Sequence, residues 1–152
     1  MPTVREIMDA DAPTVTPQDT VETVIHKMRD HDLTGVAVVN EGGRCVGIVT
    51  ENDLVIGDEE GDLRLPHMIS LFGGVVFLEP LSRFEDRLKK AAADDVEDMM
   101  TADPITIDAD ADVRDAAKLI VEHKHNRIPV VEHGRYVGMV TRLDVLEAIA
   151  GL

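Results

Sequence analysis

An internal repeat runs through this chain of 152 residues. The segment 46–54 returns 91 residues later as 137–145, so that Asp53 is matched by Asp144. Farther upstream, the apolar run 36–39 is matched by 128–131 at an offset of 92, and the loop after it therefore differs by one residue. Two copies of one unit predict two similar half-structures that bury their faces against each other, with a cleft at the joint that could hold a ligand.

Both copies have the same order of predicted elements. A short extended piece, at 13–16 and 104–107, precedes an amphipathic helix. The apolar stripe of that helix is Val21, Val24, Ile25 and Met28 in the first copy and Val113, Ala116, Ala117 and Ile120 in the second. Two apolar runs joined by a glycine-containing turn then predict a hairpin, and a second helix begins near Thr50 and Thr141. The chain is therefore predicted to be an α+β protein with the order β-α-β-β-α occurring twice.

The segment between the copies, residues 56–95, belongs to neither repeat. Its apolar stretch, 65–80, has two adjacent glycines at the centre. Ser82 and Glu85 form a capping-box pattern, which predicts a helix near 82–93. This helical and apolar insertion has two interpretations: extra core packing against its own module, or a subunit interface of the kind that gives two-fold dimers.

The charge balance is strongly acidic, with 30 Asp and Glu residues against 15 Lys and Arg and a net charge of -15. Nucleic acid and an anionic membrane surface are disfavoured as partners, because their phosphate groups need a basic footprint. The acidity indicates either a halophile-type surface, whose self-repulsion salt would screen, or a surface for a basic partner. We favour the first, because the acids are spread along the chain and not gathered in a tail.

The number of cysteines and the hydropathy of the chain indicate the cellular compartment of the protein. The single cysteine, Cys45, cannot form an internal disulfide, and no signal-like segment opens the sequence. The longest nearly uncharged apolar run, 68–78, is shorter than the roughly 20 residues that a membrane-spanning helix needs. We therefore predict a cytoplasmic protein.

The pattern Thr-x-x-Asp occurs at Thr50 and Asp53 and again at Thr141 and Asp144, where each predicted strand gives way to a helix. One interpretation is ordinary helix capping, with the threonine as N-cap. The other is ligand binding: a carboxylate at a helix start can accept both hydroxyls of a ribose, while nearby N–H groups meet phosphate. The same geometry serves both interpretations.

Together these motifs resemble a tandem pair of CBS domains, named after cystathionine beta-synthase and known as a Bateman module. The resemblance rests on the Ile-Met or Met-Met start of each copy, the strand Ile128-Pro129-Val130-Val131, and the glycine-to-aspartate motif in both copies. It implies CBS repeats at 1–55 and 96–152, packed pseudo-symmetrically through their sheets, with 56–95 as the insertion. It also implies a regulatory module for an adenosine-containing ligand, namely AMP, ADP, ATP or S-adenosylmethionine, and leaves open whether Mg²⁺ accompanies it.

The resemblance implies two sites, since the aspartate of one repeat works with the first two strands of the other. One site would combine Thr50 and Asp53 with Thr106, Ile107, Arg127, Ile128 and Pro129. The other would combine Thr141, Arg142 and Asp144 with Val15, Thr16, Val36 and Ala37. Apolar side chains would sandwich the adenine, and one arginine in each site would be available for phosphate.

The two implied sites are unequal. The first copy has Gly35 and Ala37 where the second has Arg127 and Pro129, so the second site lacks a rigid apolar wall and a cation. Glu51, in turn, places a negative charge near the phosphate position of the first site. We expect unequal affinities and favour the site that contains Asp53 and Pro129.

Other chemistry has little support in the sequence. His123 and His125 have no evident third ligand nearby, so we predict a helix-to-strand connection there and no metal site. Cys45 has no catalytic neighbour, and neither a glycine-rich phosphate loop nor a Ser-His-Asp order is present. We therefore expect a binding protein that is not an enzyme.

The favoured hypothesis is a stand-alone energy or metabolite sensor that forms a homodimer and acts on a protein target that the sequence does not identify. The alternative is a structural or interaction scaffold that dimerises through the insertion and keeps vestigial nucleotide sites.

Overall fold

The computed structural model describes residues 1–56, 68–71, 74–77 and 94–152. In chain order the elements are α1 (Val4–Ile7), β1 (Thr14–Val15), α2 (Val21–His31), β2 (Gly35–Val39), β3 (Cys45–Thr50), α3 (Glu51–Ile56), β4 (Met68–Leu71), β5 (Gly74–Phe77), α4 (Val96–Met99), β6 (Thr101–Ala102), β7 (Ile107–Asp108), α5 (Val113–His123), β8 (Arg127–Glu132), β9 (Arg135–Thr141) and α6 (Arg142–Ala150).

Each repeat contributes three strands to a sheet of its own, and these three pair alike in both. In the first, β1 runs parallel to β2 and β2 is antiparallel to β3; β7, β8 and β9 pair in the same way. The first sheet has β6 as a fourth strand, antiparallel to β3. A register shift follows Val38 in one sheet and Val130 in the other, at equivalent positions. The prediction of two β-α-β-β-α units related by pseudo-symmetry is therefore confirmed.

The one-residue difference between the copies lies in the hairpin turns, as predicted. Pairing of β2 with β3 ends at Val39 and Cys45, whereas pairing of β8 with β9 continues to Glu132 and Arg135. The second turn is then only two residues long, and both have positive φ angles, 53° at His133 and 80° at Gly134. Positive φ angles at both positions give the turn a twist that matches the flanking strands.

The register of the first strands corrects one sequence prediction. Residues 13–16 were matched with 104–107, but Val15 lies opposite Val38 and Ile107 lies opposite Val130, so the true offset is 92. Because side chains alternate between the faces of a strand, this register puts both Val15 and Ile107 into a core. A shift of one residue would have turned both side chains to the opposite face.

The first helix of each repeat buries most of its predicted stripe. In α2, Val21, Val24 and Met28 are buried, and Val113, Ala116 and Ile120 are their counterparts in α5. Ile25 is a correction, because 45% of it is exposed. Ile25 lies at the edge of the α2 stripe. The equivalent residue of α5 is the smaller Ala117, which is partly buried against the core of the second repeat.

Two lead-in segments, residues 2–9 and 94–101, are exchanged between the repeats. Val4 lies in the core of the second repeat, and Val96 lies in the core of the first. The backbone bonds match at an offset of 92: Val4 N–H donates to the Ala111 carbonyl, and Val96 N–H donates to the Asp19 carbonyl, both at 2.8 Å. Each core is thus completed by the segment that precedes the other repeat.

Two glycines make this exchange possible. A Cβ atom at Gly138 would lie 2.8 Å from Met8 Sδ, and one at Gly47 would lie 2.4 Å from Met100 Sδ. Each lead-in methionine therefore rests directly on the strand of the other repeat. The tips of the two hairpins also meet, where Tyr136 N–H donates to the Gly43 carbonyl at 2.8 Å.

Within the insertion, β4 and β5 form an antiparallel pair in which Met68 lies opposite Phe77 and Leu71 opposite Gly74. The apolar stretch predicted around adjacent glycines thus contains a short hairpin. The helix predicted near 82–93 lies outside the described residues.

Candidate functional site

A cleft of about 600 Å³ lies between the repeats. One wall comes from the first repeat, at the end of β3 and the start of α3. The opposite wall comes from the connection between α5 and β8 and from the chain that follows β6. Its lining residues are Thr34, Ile48, Thr50, Glu51, Asp53, Thr101, Asp103, Pro104, Ile105, Lys124, His125, Asn126, Arg127 and Pro129.

Asp53 combines helix capping with a position in the cleft. Its Oδ2 accepts hydrogen bonds from the N–H of Thr50 at 2.8 Å and from the Thr50 hydroxyl at 3.2 Å. Its Oδ1 accepts one from the hydroxyl of Thr101 at 3.3 Å. One carboxylate oxygen therefore holds the helix start. The other has a single hydroxyl donor and can take a second, because each carboxylate oxygen has two acceptor positions.

Three basic residues line the other side of the cleft. Helix α5 ends at Lys124, whose left-handed backbone (φ 56°, ψ 34°) turns the chain so that Lys124, His125 and Arg127 all reach the same wall. His123 and His125 do lie at a helix-to-strand connection, as predicted, and their rings stack with centroids 6.0 Å apart. In a chain with a net charge of -15, the two cations of this wall, Lys124 and Arg127, favour an anion.

Arg127 also bridges the two repeats. It donates a hydrogen bond through Nη1 to the Gly35 carbonyl at 3.3 Å, and through Nη2 to the Thr34 hydroxyl. Burial lowers the pKa of the Arg127 guanidinium, while the negative charge of Glu51 acts in the opposite direction. The group stays charged, because an arginine pKa starts far above neutral pH.

Pro129 keeps one strand edge open. It is buried in β8, and β7 begins to pair only at the next residue, Val130. Proline has no N–H to give to a neighbouring strand, so the pairing of β8 with β7 ends there, while its pairing with β9 continues to Arg127. Pro129 lies at the edge of the cleft. In the first repeat the equivalent residue, Ala37, is paired with Thr14.

The counterpart position around Asp144 has a different character. Thr141 and Asp144 form a full capping box, in which Asp144 Oδ2 accepts from Thr141 N–H at 2.8 Å. Where Asp53 has the hydroxyl of Thr101, the position equivalent to Thr101 is the carboxylate of Asp9. In place of Lys124, the first repeat has Asp32 at the end of α2. This half of the molecule therefore presents more negative charge to a ligand.

The structure brings together part of the residue set that the resemblance implied. Thr50, Asp53, Arg127 and Pro129 share the cleft. Thr106 is half-buried beside it, and the side chains of Ile107 and Ile128 pack in the core of the second repeat.

For the second implied site, Val15 and Val36 are core residues of the first repeat, and Ala37 is buried. Thr16 and Arg142 are exposed, and Thr141 and Asp144 are half-buried at the start of α6. Val15 and Val36 therefore point their side chains into the core, whereas Ala37, the next residue along β2, faces the opposite side of the sheet.

Sequence reasoning missed most of the basic wall and the chain after β6. Lys124 and Asn126 are outside any motif, and Pro104 and Ile105 were read as part of a strand. The signal that could have found Pro104 and Ile105 is the one-residue register: with β7 starting at Ile107, residues 103–105 become a connection that can face the cleft.

Among the described residues, no group of three or more His, Cys, Asp and Glu side chains is arranged to hold a metal ion. In the same part of the chain, no helix has the length and apolar character needed to cross a membrane. The cleft itself can do three things: accept hydroxyl donors at Asp53, hold a flat apolar group against Ile48, Ile105 and Pro129, and attract an anion to its basic wall.

Comparisons with known proteins agree with this architecture. The sequence profile of the CBS domain matches residues 4–60 and 96–151. An uncharacterized protein of Methanocaldococcus jannaschii is 32% identical over 152 residues, covering 96% of this chain and 90% of its own. The chloroplastic CBS domain-containing protein CBSX1 of Arabidopsis thaliana is 32% identical over 151 residues, and the match spans 63% of that protein. The crystal structure of CBSX2 in complex with AMP superposes with a TM-score of 0.72 at 25% identity, over 98% of this chain and 96% of that one.

Proposed function

Because this chain belongs to the CBS domain family and contains two copies of the domain, we propose that it is a regulatory module that binds an adenine nucleotide between its repeats. The observation that carries the proposal is the composition of one cleft. Asp53 lies on one wall, Lys124, His125 and Arg127 lie on the other, and Pro129 also lines the cleft. Ribose hydroxyls, phosphate and an adenine ring require these three kinds of partner.

The crystal structure of CBSX2 in complex with AMP supports the same ligand class. The basic wall favours a phosphorylated ligand such as AMP, ADP or ATP over S-adenosylmethionine, whose sulfonium is a cation. It would also bind the phosphates without Mg²⁺. The Asp144 half, with its extra carboxylates, is expected to bind such a ligand more weakly.

The proposed module acts through a protein partner and carries out no reaction of its own. Homodimerisation is supported by the outer face of α6, where Leu143, Leu146 and Ile149 are 63%, 54% and 46% exposed. Apolar side chains gathered on one exposed helix face are typical of an interaction surface. A cytoplasmic location and a halophile-type surface stay predictions from the sequence.

Calorimetric titration of AMP, ATP, adenosine and S-adenosylmethionine into the protein in concentrated KCl tests the proposal. We expect saturable binding of AMP or ATP. Asp53→Ala should weaken binding at least tenfold, because a hydrogen bond to a charged group contributes about 1.5–3 kcal/mol. Asp144→Ala is the matched control, since it removes an equivalent helix cap in the other repeat.

The ribose role of Asp53 has its own test, a comparison of AMP with 2′-deoxy-AMP. Wild type should prefer AMP, and Asp53→Ala should bind both equally. If no adenosine ligand binds to the folded protein, the scaffold hypothesis replaces this one.

A further inference from the structure

We propose that Arg127 is a phosphate-released clamp between the two repeats, through which the module distinguishes a nucleotide from its nucleoside. In the free protein the guanidinium of Arg127 binds Thr34 and Gly35 of the first repeat. An anionic group in the cleft takes the guanidinium from both. This inference rests on the proposed function. It adds that Arg127 makes the contact between the repeats depend on whether the bound ligand carries a negative charge.

The clamp joins the repeats at the wall of the cleft. Arg127 is the first residue of β8 in the second repeat. Its two hydrogen-bond acceptors are the hydroxyl of Thr34, which precedes β2 of the first repeat, and the carbonyl of Gly35, the first residue of β2. Both Arg127 and Thr34 line the cleft, so a ligand there meets the clamp directly.

The chain is shaped to hold this arginine. Gly35 and Arg127 occupy equivalent positions in the two repeats, and a Cβ atom at Gly35 would lie 2.6 Å from Arg127 Cδ and 2.9 Å from Nε. The absence of a side chain on one repeat therefore makes room for the long side chain of the other. The pseudo-symmetry of the sheets is broken at this pair of positions, and the result is a side-chain contact between the repeats.

The two acceptors that hold the guanidinium of Arg127 are neutral. A phosphate group therefore competes well with them for the guanidinium. A hydroxyl and a carbonyl bind a guanidinium less strongly than phosphate does, because phosphate offers full negative charge and a paired, planar match to two N–H groups. Glu51, whose negative charge acts on Arg127, lies on the opposite wall and forms no hydrogen bond of the clamp. A phosphorylated ligand can thus displace the clamp, whereas a nucleoside has no group that competes for it.

Release of the clamp would free Thr34 and the first residue of β2 from the second repeat. By linkage, whatever weakens the clamp in the free protein must strengthen phosphate binding by the same factor. Ligand charge would therefore set how tightly the two repeats hold each other at the cleft.

Thr34→Val tests the clamp, because valine has the shape of threonine without the hydroxyl and leaves the backbone bond from Glu51 N–H to the Thr34 carbonyl in place. We expect AMP to bind the variant about three- to tenfold more tightly than wild type, the factor typical of one lost competing hydrogen bond. Adenosine should bind both proteins equally. In an Arg127→Ala background, Thr34→Val should change neither affinity.

Gly35→Ala provides a second variant that acts by crowding and removes no hydrogen bond. It should also raise the affinity for AMP while leaving that for adenosine unchanged, and circular dichroism melts would show that both variants are folded. If AMP and adenosine shift together, or if AMP binds the variants more weakly, Thr34 and Gly35 shape the site directly and the clamp is refuted. Failure of wild type to bind any adenosine ligand would instead refute the proposed function on which the clamp rests.

Discussion

The exchange of lead-in segments predicts that shortening a side chain at the start of the chain weakens the repeat at its far end. Val4 is fully buried in the core of the second repeat, and Val96 is fully buried in the core of the first. Val4→Ala removes two methyl groups from that core. At about 0.8 kcal/mol for each buried carbon group, the transfer loss is about 1.6 kcal/mol, and the cavity raises it to about 2–3 kcal/mol.

Thermal unfolding measures how much stability Val4→Ala loses, and hydrogen exchange shows which helices and strands become less protected. For a domain of this length, about 2–3 kcal/mol lowers the melting temperature by about 4–12 °C. Exchange followed by mass spectrometry should show Val4→Ala loosening α5, β8 and β9, and Val96→Ala loosening α2, β2 and β3. Val121→Ala is the matched control, since this valine is 76% exposed and its loss should change stability by less than about 0.5 kcal/mol.

The reasoning is refuted if Val4→Ala loosens the first repeat more than the second. It is also refuted if Val4→Ala costs no more stability than Val121→Ala.

Two further predictions concern single positions. Gly138→Ala should cost about 1–3 kcal/mol of unfolding free energy, because its Cβ would lie 2.8 Å from Met8 Sδ and 3.0 Å from the Asp9 carbonyl. Gly42→Ala, whose nearest neighbour would be 3.4 Å away, is the control, and equal losses in chemical denaturation would contradict the close packing of the methionine. Burial raises the pKa of the Cys45 thiol, so it should react with iodoacetamide at mildly alkaline pH more slowly in the folded protein than in denaturant. Because this pKa is higher in the folded chain, the thiol's contribution to stability is fully present below its ordinary pKa and is lost as the pH rises above it; equal alkylation rates would contradict the burial.

The features that the sequence predicted correctly are those determined by residues that lie close together in the sequence. Helix stripes, hairpins and the Thr-x-x-Asp pattern each lie within about a dozen residues, and the duplication allowed every inference to be checked against a second copy. Asp53 could be placed at the start of a helix for this reason. Its position near Arg127 followed only from the resemblance.

The features that the sequence did not predict depend on contacts between distant segments. Nothing in the residues around Val4 says that its partners lie in the other repeat, because an apolar side chain is compatible with either core. The one-residue register of β7 likewise depends on its pairing with β8. Since that register decides whether Pro104 and Ile105 belong to a strand or to the cleft, this part of the lining was missed with it.

The exchanged lead-in segments also determine the order in which this chain can finish folding. Arg5 and Asp110, which pair at 3.2 Å, are 105 positions apart, and the first repeat cannot bury Val96 until the insertion has been made. Contacts between such distant residues slow folding, because the chain loses the entropy of closing a large loop before the contacts stabilise it. The first repeat can therefore complete its core only after the second lead-in segment has been made, whereas the second repeat finds Val4 already synthesised when its own strands form.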